Sequence, residues 1–479
     1  MRTVLLQSLQ AWWPEVILSI GALLVILLGV WTKRSQPALS VAWAALIAGA
    51  VALCTVPAPP PTGTFFGLIM CDPFSFAFRW VMVITTALVI LMVVGSREVS
   101  GALRGEYLGL LLFVAVGLML MAEANHLLMA YVAMELVSLS SYILVGFLND
   151  ARGSEASLKY LLFGALSSGI MLFGMSLLFG LTGQLAFADL ARSLAGLSSD
   201  ARGTLLIAVV LMLSGLAFKI SMVPFHMWTP DVYEGAPLPV TALLSVGPKA
   251  AGLALLWRLI QALHPAWTLI EPVVLSLTIV TMTLGNLVAL AQTNVKRLLA
   301  YSTIGQVGYL LIGLTVNTRL GLEGLLLYLV AYLFMNLGTF ACVIAVVNEA
   351  GSESLEVFRG LSQRAPGLAL FCALFLLSLA GIPPLLGFFG KFLLFGSAIE
   401  SGHSWLAIAG IVNSAIALYY YVNIIRLMYL IPPADTQPVR AEASLRVALV
   451  VCAVATLLVG LFPQLLLEVI RASSVINLL

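Results

Sequence analysis

Residues 212–250 read MLSGLAFKISMVPFHMWTPDVYEGAPLPVTALLSVGPKA. The stretch begins as an apolar helix with Lys219 inside it, and five residues later Pro224 interrupts the run. A proline in a helix interior removes one backbone hydrogen bond and clashes with the preceding turn. Pro224 to Pro239 is polar and aromatic and holds three further prolines. A second apolar run follows, with Lys249 directly after Gly247-Pro248. Two ammonium groups are thus expected in adjacent apolar segments, each beside a helix break. Placing a lysine in hydrocarbon costs roughly 2.5–3.5 kcal/mol on insertion scales. A sequence that does so twice, beside broken helices, uses the charges.

Hydrophobic residues fill 61% of the 479 positions and charged ones 9%, with a mean hydropathy of +1.09. Soluble domains carry roughly 25% charge. The chain is therefore expected to be an all-α integral membrane protein without a soluble domain of any size. A net charge of +2 carries little information, and there is no basic patch for nucleic acid. The five cysteines form no CxxC and read as small hydrophobes in helix packing, with a Cys54–Cys71 bridge as the alternative. No iron–sulfur, haem or zinc spacing, P-loop, GxGxxG or nucleophile motif is visible. The chain is expected to bind no cofactor or metal and to draw its energy from an ion gradient or a partner.

A spanning helix needs about 20 apolar residues. That rule places spans near 12–31, 38–56, 75–95, 107–123, 126–148, 157–182, 204–223, 239–263, 269–291, 297–316, 321–348, 366–399, 404–430 and 444–469, about fourteen in all. Lys33-Arg34 follow the first apolar run, the pattern of a retained helix and not of a cleaved signal. Alternate connections hold Lys33 and Arg34, Arg97 and Arg104, Arg152 and Lys159, Lys296 and Arg297, Arg359 and Arg364, Arg440 and Arg446. The other set holds fewer: Arg192, Arg202, Arg319 and Arg471. The richer side is expected to be cytoplasmic, which puts both termini on the opposite side. Residues 57–63, PAPPPTG, read as a stiff exposed loop, residues 350–365 as an amphipathic connection on the charge-rich side, and Phe187 to Ser199 as a short surface helix on the other.

Residues 366–399 are too long for one straight span. Gly381-Ile382-Pro383-Pro384 stands in their middle, and Lys391 follows in the second half. Paired Gly/Pro-interrupted segments point to a transporter site built from inverted repeats. Spans four to eight and nine to thirteen form the two five-helix units, with broken members at seven and twelve. The expected division is 1–105, 106–265, 266–430 and 431–479: a three-helix segment, two repeats and a last helix.

Of six lysines, Lys219, Lys249 and Lys391 fall inside spans. Glu135 joins them near the middle of the fifth. Burial disfavours the charged form of either group and a nearby opposite charge restores it. An acid–lysine chain can therefore store and pass protons. Glu135 taken alone also reads as a carboxylate paired to a serine-rich helix, and Lys249 alone as a snorkelling side chain. Lys159 and Lys296, at helix starts, fit topology signals or proton uptake from the cytoplasm. His226 fits a relay or a packing histidine, and Glu123, Asp231 and Glu234 fit interfacial positions.

The motifs FKISMVPFHMWTPDVYEGAP, VGPKA, NVKRLLAYSTIGQVGYLLIG and GIPPLLGFFGKF closely resemble the antiporter-like subunits of respiratory complex I, over nearly the whole chain. The resemblance implies fourteen transmembrane helices, two inverted five-helix repeats, broken helices seven and twelve, and proton transfer through Glu135, Lys219, Lys249 and Lys391. The chain ends soon after span fourteen, without the long lateral helix of subunit L. It carries Lys391 where subunit M typically has a glutamate. The resemblance further implies a proton-translocating NADH:quinone oxidoreductase in a bacterial inner membrane, with partner subunits M, L, K, A, J and H. The peripheral arm would hold FMN, iron–sulfur clusters and the quinone reaction. A Na⁺/H⁺ antiporter subunit or a subunit of a membrane-bound hydrogenase is the alternative.

Overall fold

The computed structural model describes residues 2–32, 35–55, 64–99, 104–433 and 437–474. Lys33, Arg34 and the proline-rich 57–63 lie outside the described residues. Among the described residues the chain is helical throughout, with only isolated β-bridges. Thirteen helices among the described residues are long and apolar enough to cross a membrane, and two halves of a broken helix form a fourteenth. They are α1 Trp13–Thr32, α2 Ser35–Thr55, α3 Pro73–Gly95, α4 Arg104–Glu123, α5 Leu127–Val145, α6 Ala151–Thr182 and α7, in two parts, Arg202–Ile220 and Trp228–Gly235. There follow α8 Leu238–Ala262, α9 Trp267–Ala289, α10 Val295–Thr315, α11 Arg319–Ala350, α12 as Pro366–Ala380 and Leu386–Glu400, α13 Ser404–Leu430 and α14 Ala443–Leu461.

Burial sorts these helices into an inner and an outer set. Helices α4, α8, α10 and α11 are buried along almost their whole length. By contrast α1, α2, α6, α9, α13 and α14 bury one stripe and expose leucines, valines and phenylalanines such as Leu27, Leu166, Phe173 and Val454. That outward apolar surface suits hydrocarbon. Both α6 and α11 have 32 residues and extend past a membrane-thick span. Asp150 caps the start of α6 by accepting from Gly153 N–H at 2.7 Å, and Thr318 does the same for α11 through Gly321 at 3.1 Å.

The two breaks are built alike. The first part of α7 ends with Ser221 in the left-handed region (φ 64°) and Met222 N–H donating to Ala217 O at 2.8 Å. The first part of α12 ends with Gly381 at φ 91° and Ile382 N–H donating to Leu377 O at 3.0 Å. Each is a Schellman ending, which satisfies the last carbonyls of the turn. Helix α7 thus stops at Ile220, three residues before the expected end, because the residue ahead of Pro224 cannot stay helical and the chain turns out early.

Two sequence expectations are corrected. Pro248 does not break α8, which runs unbroken from Leu238 to Ala262 and is almost entirely buried. One missing N–H is tolerable where surrounding helices hold the backbone in place. The last span ends at Leu461 ahead of Pro463, and Gln464–Ser473 forms a separate short helix. A short helix, Phe187–Ala195, forms within the expected stretch Phe187 to Ser199 and ends four residues earlier, and Leu355–Phe358 and Leu361–Arg364 form the polar connection.

Candidate functional site

Lys219, in the last turn of the first part of α7, is fully buried. Its Nζ donates to Ser138 Oγ of α5 at 2.7 Å. Glu135 lies three residues before Ser138, so both side chains share one face of α5. Glu135 is half-buried and accepts a hydrogen bond from Ser168 Oγ of α6. The serine-rich pattern thus supplies the partners of both groups.

Lys249, in the middle of α8, is fully buried and its Nζ makes no hydrogen bond. It sits 4.6 Å from the Trp228 ring centre and 5.4 Å from that of Tyr233. Both rings belong to the second part of α7. A cation over an aromatic face is attracted by the ring quadrupole. Trp228 also closes the break, since its Nε1 donates to Phe218 O at 3.0 Å. The same ring therefore adds a second donor to the carbonyl beside Lys219 and lies against Lys249.

Lys391 reaches back across the second break. Its Nζ donates to Leu379 O at 3.1 Å and Ala380 O at 3.2 Å, and lies 4.4 Å from the Tyr309 ring centre. A cation at the carbonyl end of a helix is favoured by the helix dipole. Gln306 Nε2 donates to the same Leu379 O at 3.3 Å and to Tyr421 Oη at 3.0 Å. Tyr328 donates to Gln306, Ser302 pairs with Tyr421 at 2.5 Å, and Asn286 joins Tyr420 to Tyr309 at 3.0 Å each. Sequence reading missed this buried hydroxyl and amide lattice. Its signal was the polar set Ser302, Thr303 and Gln306 inside an otherwise apolar span.

Among the described residues none of Lys219, Lys249 and Lys391 forms an ion pair. The contrast is with the buried arginines. Arg258 of α8 grips Asp72 with two hydrogen bonds of 3.1 and 2.6 Å. Arg79 of α3 pairs with Glu15 and with Glu123. Glu123, expected at an interface, is fully buried. Cys71 lies against the same guanidinium at 3.2 Å, and both Cys71 and Cys54 are free thiols, so the alternative bridge is not formed.

At the opposite end of these helices lies an ionic cluster. Lys296 is buried, pairs with Glu353 at 2.8 Å and donates to Ala236 O at 2.7 Å. Lys159 is partly exposed and pairs with Glu155 at 2.9 Å and Asp231 at 3.0 Å. Arg297 joins Asp231 to Glu234, and Arg152 joins Glu234 to Glu353. Burial alone would raise the Asp231 and Glu353 carboxyls. The hydrogen bonds from Lys159 and Arg297 to the first, and the Lys296 charge beside the second, hold both below the usual carboxylate range. His226, in the α7 break, is nearly buried, and its Nδ1 has no partner. Among the described residues no cluster of His, Cys, Asp and Glu could hold a metal.

The arrangement is a row of buried, neutrally solvated ammonium groups beside broken helices. Residues 124–417 match the family model for the transmembrane region of NADH:quinone oxidoreductase and Mrp antiporter proteins. The chain belongs to this family. It is 40% identical over 482 residues to NADH-quinone oxidoreductase subunit N of Anaeromyxobacter sp. (strain Fw109-5), with 94% of this chain and 93% of that one covered. A solved relative is a chain of respiratory complex I from Thermus thermophilus with bound aureothin. It has a TM-score of 0.82 and 32% identity, over 96% of this chain and 99% of that one. A chain of the Mrp complex from Dietzia sp. DQ12-45-1b shares the fold, with a TM-score of 0.85 and 24% identity over 98% of this chain and 97% of that one. As a member of the family, the chain is an all-α, multi-pass membrane subunit.

Proposed function

We infer that the chain is the proton-translocating, antiporter-like subunit of a redox-driven NADH:quinone oxidoreductase, of the subunit N type. The observation that carries this reading is that Lys219, Lys249 and Lys391 meet only neutral groups in direct contact: a hydroxyl, ring faces and carbonyls. A buried ammonium held by a hydroxyl, ring faces or carbonyls can give up its proton without stranding a buried counter-charge. Arg79 and Arg258, paired to carboxylates, are fixed charges. Protons enter from the cytoplasm past Lys159, Lys296 or His226, load Lys249, and pass to Lys219. Glu135 sets the proton affinity of Lys219 and links to the neighbouring subunit. Lys391 releases to the outside. The coupling is electrostatic, since a proton on one lysine weakens its neighbour's hold.

The paired breaks, each with a Schellman ending, support the division into two inverted repeats at 106–265 and 266–430. The segment 1–105 and the last helix in 431–479 flank them. The charge-rich face reads as cytoplasmic in a bacterial inner membrane, with both termini outside. Subunits M, L, K, A, J and H would be the partners, and FMN, iron–sulfur clusters and quinone would belong to them and to the peripheral arm. Cation/proton exchange without redox partners is the second reading, because the family model spans Mrp antiporters as well. Membrane vesicles carrying Lys219→Ala separate the two, with proton pumping and quinone reduction followed in one sample. Loss of both together is expected. Full electron transfer with loss of Na⁺/H⁺ exchange alone would overturn the redox assignment.

A further inference from the structure

An open cleft of about 730 Å³ lies on the charge-rich face, lined by the segment after α3, the start of α6, the second part of α7, the segment before α10 and the end of α11. Arg97, Glu98, Arg152, Glu234 and Glu353 supply its charges. Four of these five are held in ion pairs: Arg97 with Glu349 at 2.8 Å, Arg152 with both Glu234 and Glu353, and Glu353 with Lys296. Glu98 is the one that forms no ion pair among the described residues. Its Oε2 accepts Leu238 N–H at 2.7 Å, in the first turn of α8. Behind it lies Tyr107 of α4, fully buried, within electrostatic range of Glu98, with a hydroxyl that has no hydrogen-bond partner.

We propose that Glu98 is a proton-uptake residue: it takes a proton from water in the cleft and passes it inward along the α8 side toward Lys249. The proposal rests on the transport reading above and adds a residue to it. Of the uptake and relay candidates from the sequence, Lys159 and Lys296 are both tied into ion pairs, and His226 does not line this cleft. Glu98 is half-buried, with the cleft on one side and the first turn of α8 on the other. The step balances simply. A proton from hydronium forms an O–H bond on one carboxyl oxygen, and that bond breaks when the proton moves inward and the carboxylate returns. Lys249 lies eleven residues along α8 from Leu238, about 16 Å at the helical rise. An anion at the start of α8 is favoured by the helix dipole, so loading Glu98 also changes the field along the helix that carries Lys249.

The groups facing Glu98 favour reversible loading. Burial pushes its carboxyl above the usual range. The Lys296 charge from α10, the Leu238 N–H and the Ser96 hydroxyl pull the other way, and the Glu353 charge pushes up again. Tyr107 faces it from α4.

The test is Glu98→Gln in the assembled complex, in inverted membrane vesicles, with NADH-driven pumping and quinone reduction followed across a range of pH. Glutamine keeps an oxygen for the Leu238 N–H, so assembly on a native gel should match wild type. Pumping should fall by roughly a hundredfold, the lower end of the range for removal of a proton-transfer group, and its pH dependence should flatten. Glu98→Asp should restore part of both. Wild-type pumping and an unchanged pH profile in Glu98→Gln would overturn the proposal. So would loss of assembled complex in Glu98→Gln, Glu98→Asp and Glu98→Ala alike, which marks a capping role only. Lys219→Ala is run in parallel. If Lys219→Ala abolishes pumping and Glu98→Gln does not, the Glu98 proposal alone fails. If Lys219→Ala also pumps normally, the transport reading beneath it fails.

Discussion

At the scale of residues, the distinction that matters is between buried cations with and without counter-ions. Lys219 depends on one hydroxyl, Ser138 Oγ at 2.7 Å. Ser138→Ala removes the acceptor and leaves a buried donor unsatisfied, which costs about 1–3 kcal/mol. The expected outcome is a complex that assembles but pumps more slowly, with a shifted pH profile. Pumping assays across pH, paired with thermal melting of the purified complex, check it. The four intramembrane ionisable residues were legible because charge in an apolar run is conspicuous. Arg79 and Arg258 stand in apolar runs too, yet Glu15, Glu123 and Asp72, which neutralise them, lie at span ends where a carboxylate looks interfacial. Only the folded arrangement shows that these charges are spoken for.

At the scale of elements, the two broken helices organise the site, and each is broken in a way local sequence only half specifies. Gly381 fits its φ of 91° because it has no Cβ, and a Cβ there would also meet Lys391 Cδ at 3.1 Å. Gly381→Ala should therefore cost about 1–2 kcal/mol from the left-handed backbone alone and displace the Lys391 stem. The readout is a lower melting temperature of the complex together with impaired pumping. Unchanged values in both would show that Lys391 does not need this turn. Pro224 announced the α7 break, but its position at Ile220 was decided by the Schellman turn and by Trp228, whose indole holds the Phe218 carbonyl. Gly247-Pro248 gave the same local signal and no break followed, because α8 is packed on every side.

At the scale of the whole molecule, alternate helix ends gather the ionic cluster on one face and the Arg79 and Arg258 groups on the other. Asp231 and Glu353 have carboxyls held below their ordinary range, so they bind fewer protons than in the unfolded chain. Their contribution to stability is complete above the ordinary carboxylate range and is lost as the pH falls through their depressed values. The solubilised complex should accordingly lose thermal stability on acidification, and Asp231→Asn should flatten that loss. A melting temperature as acid-sensitive in the variant as in wild type would remove the cluster from the account.

Local sequence was enough for the membrane character, a count of about fourteen spans, the uneven charge of alternate connections, the lysines in apolar runs and three break signals, of which those at Pro224 and at Gly381 to Pro384 became breaks. These follow from local quantities: apolar length, the cost of a charge in hydrocarbon and the geometry of proline and glycine. Helix packing settled which of the buried charges meet a counter-ion and which do not. The partner of Lys219 is 81 residues away, that of Arg258 is 186, and that of Lys296 is 57. No local pattern encodes such pairings, because they arise only when separate helices pack side by side and exclude the water that would otherwise serve every polar group.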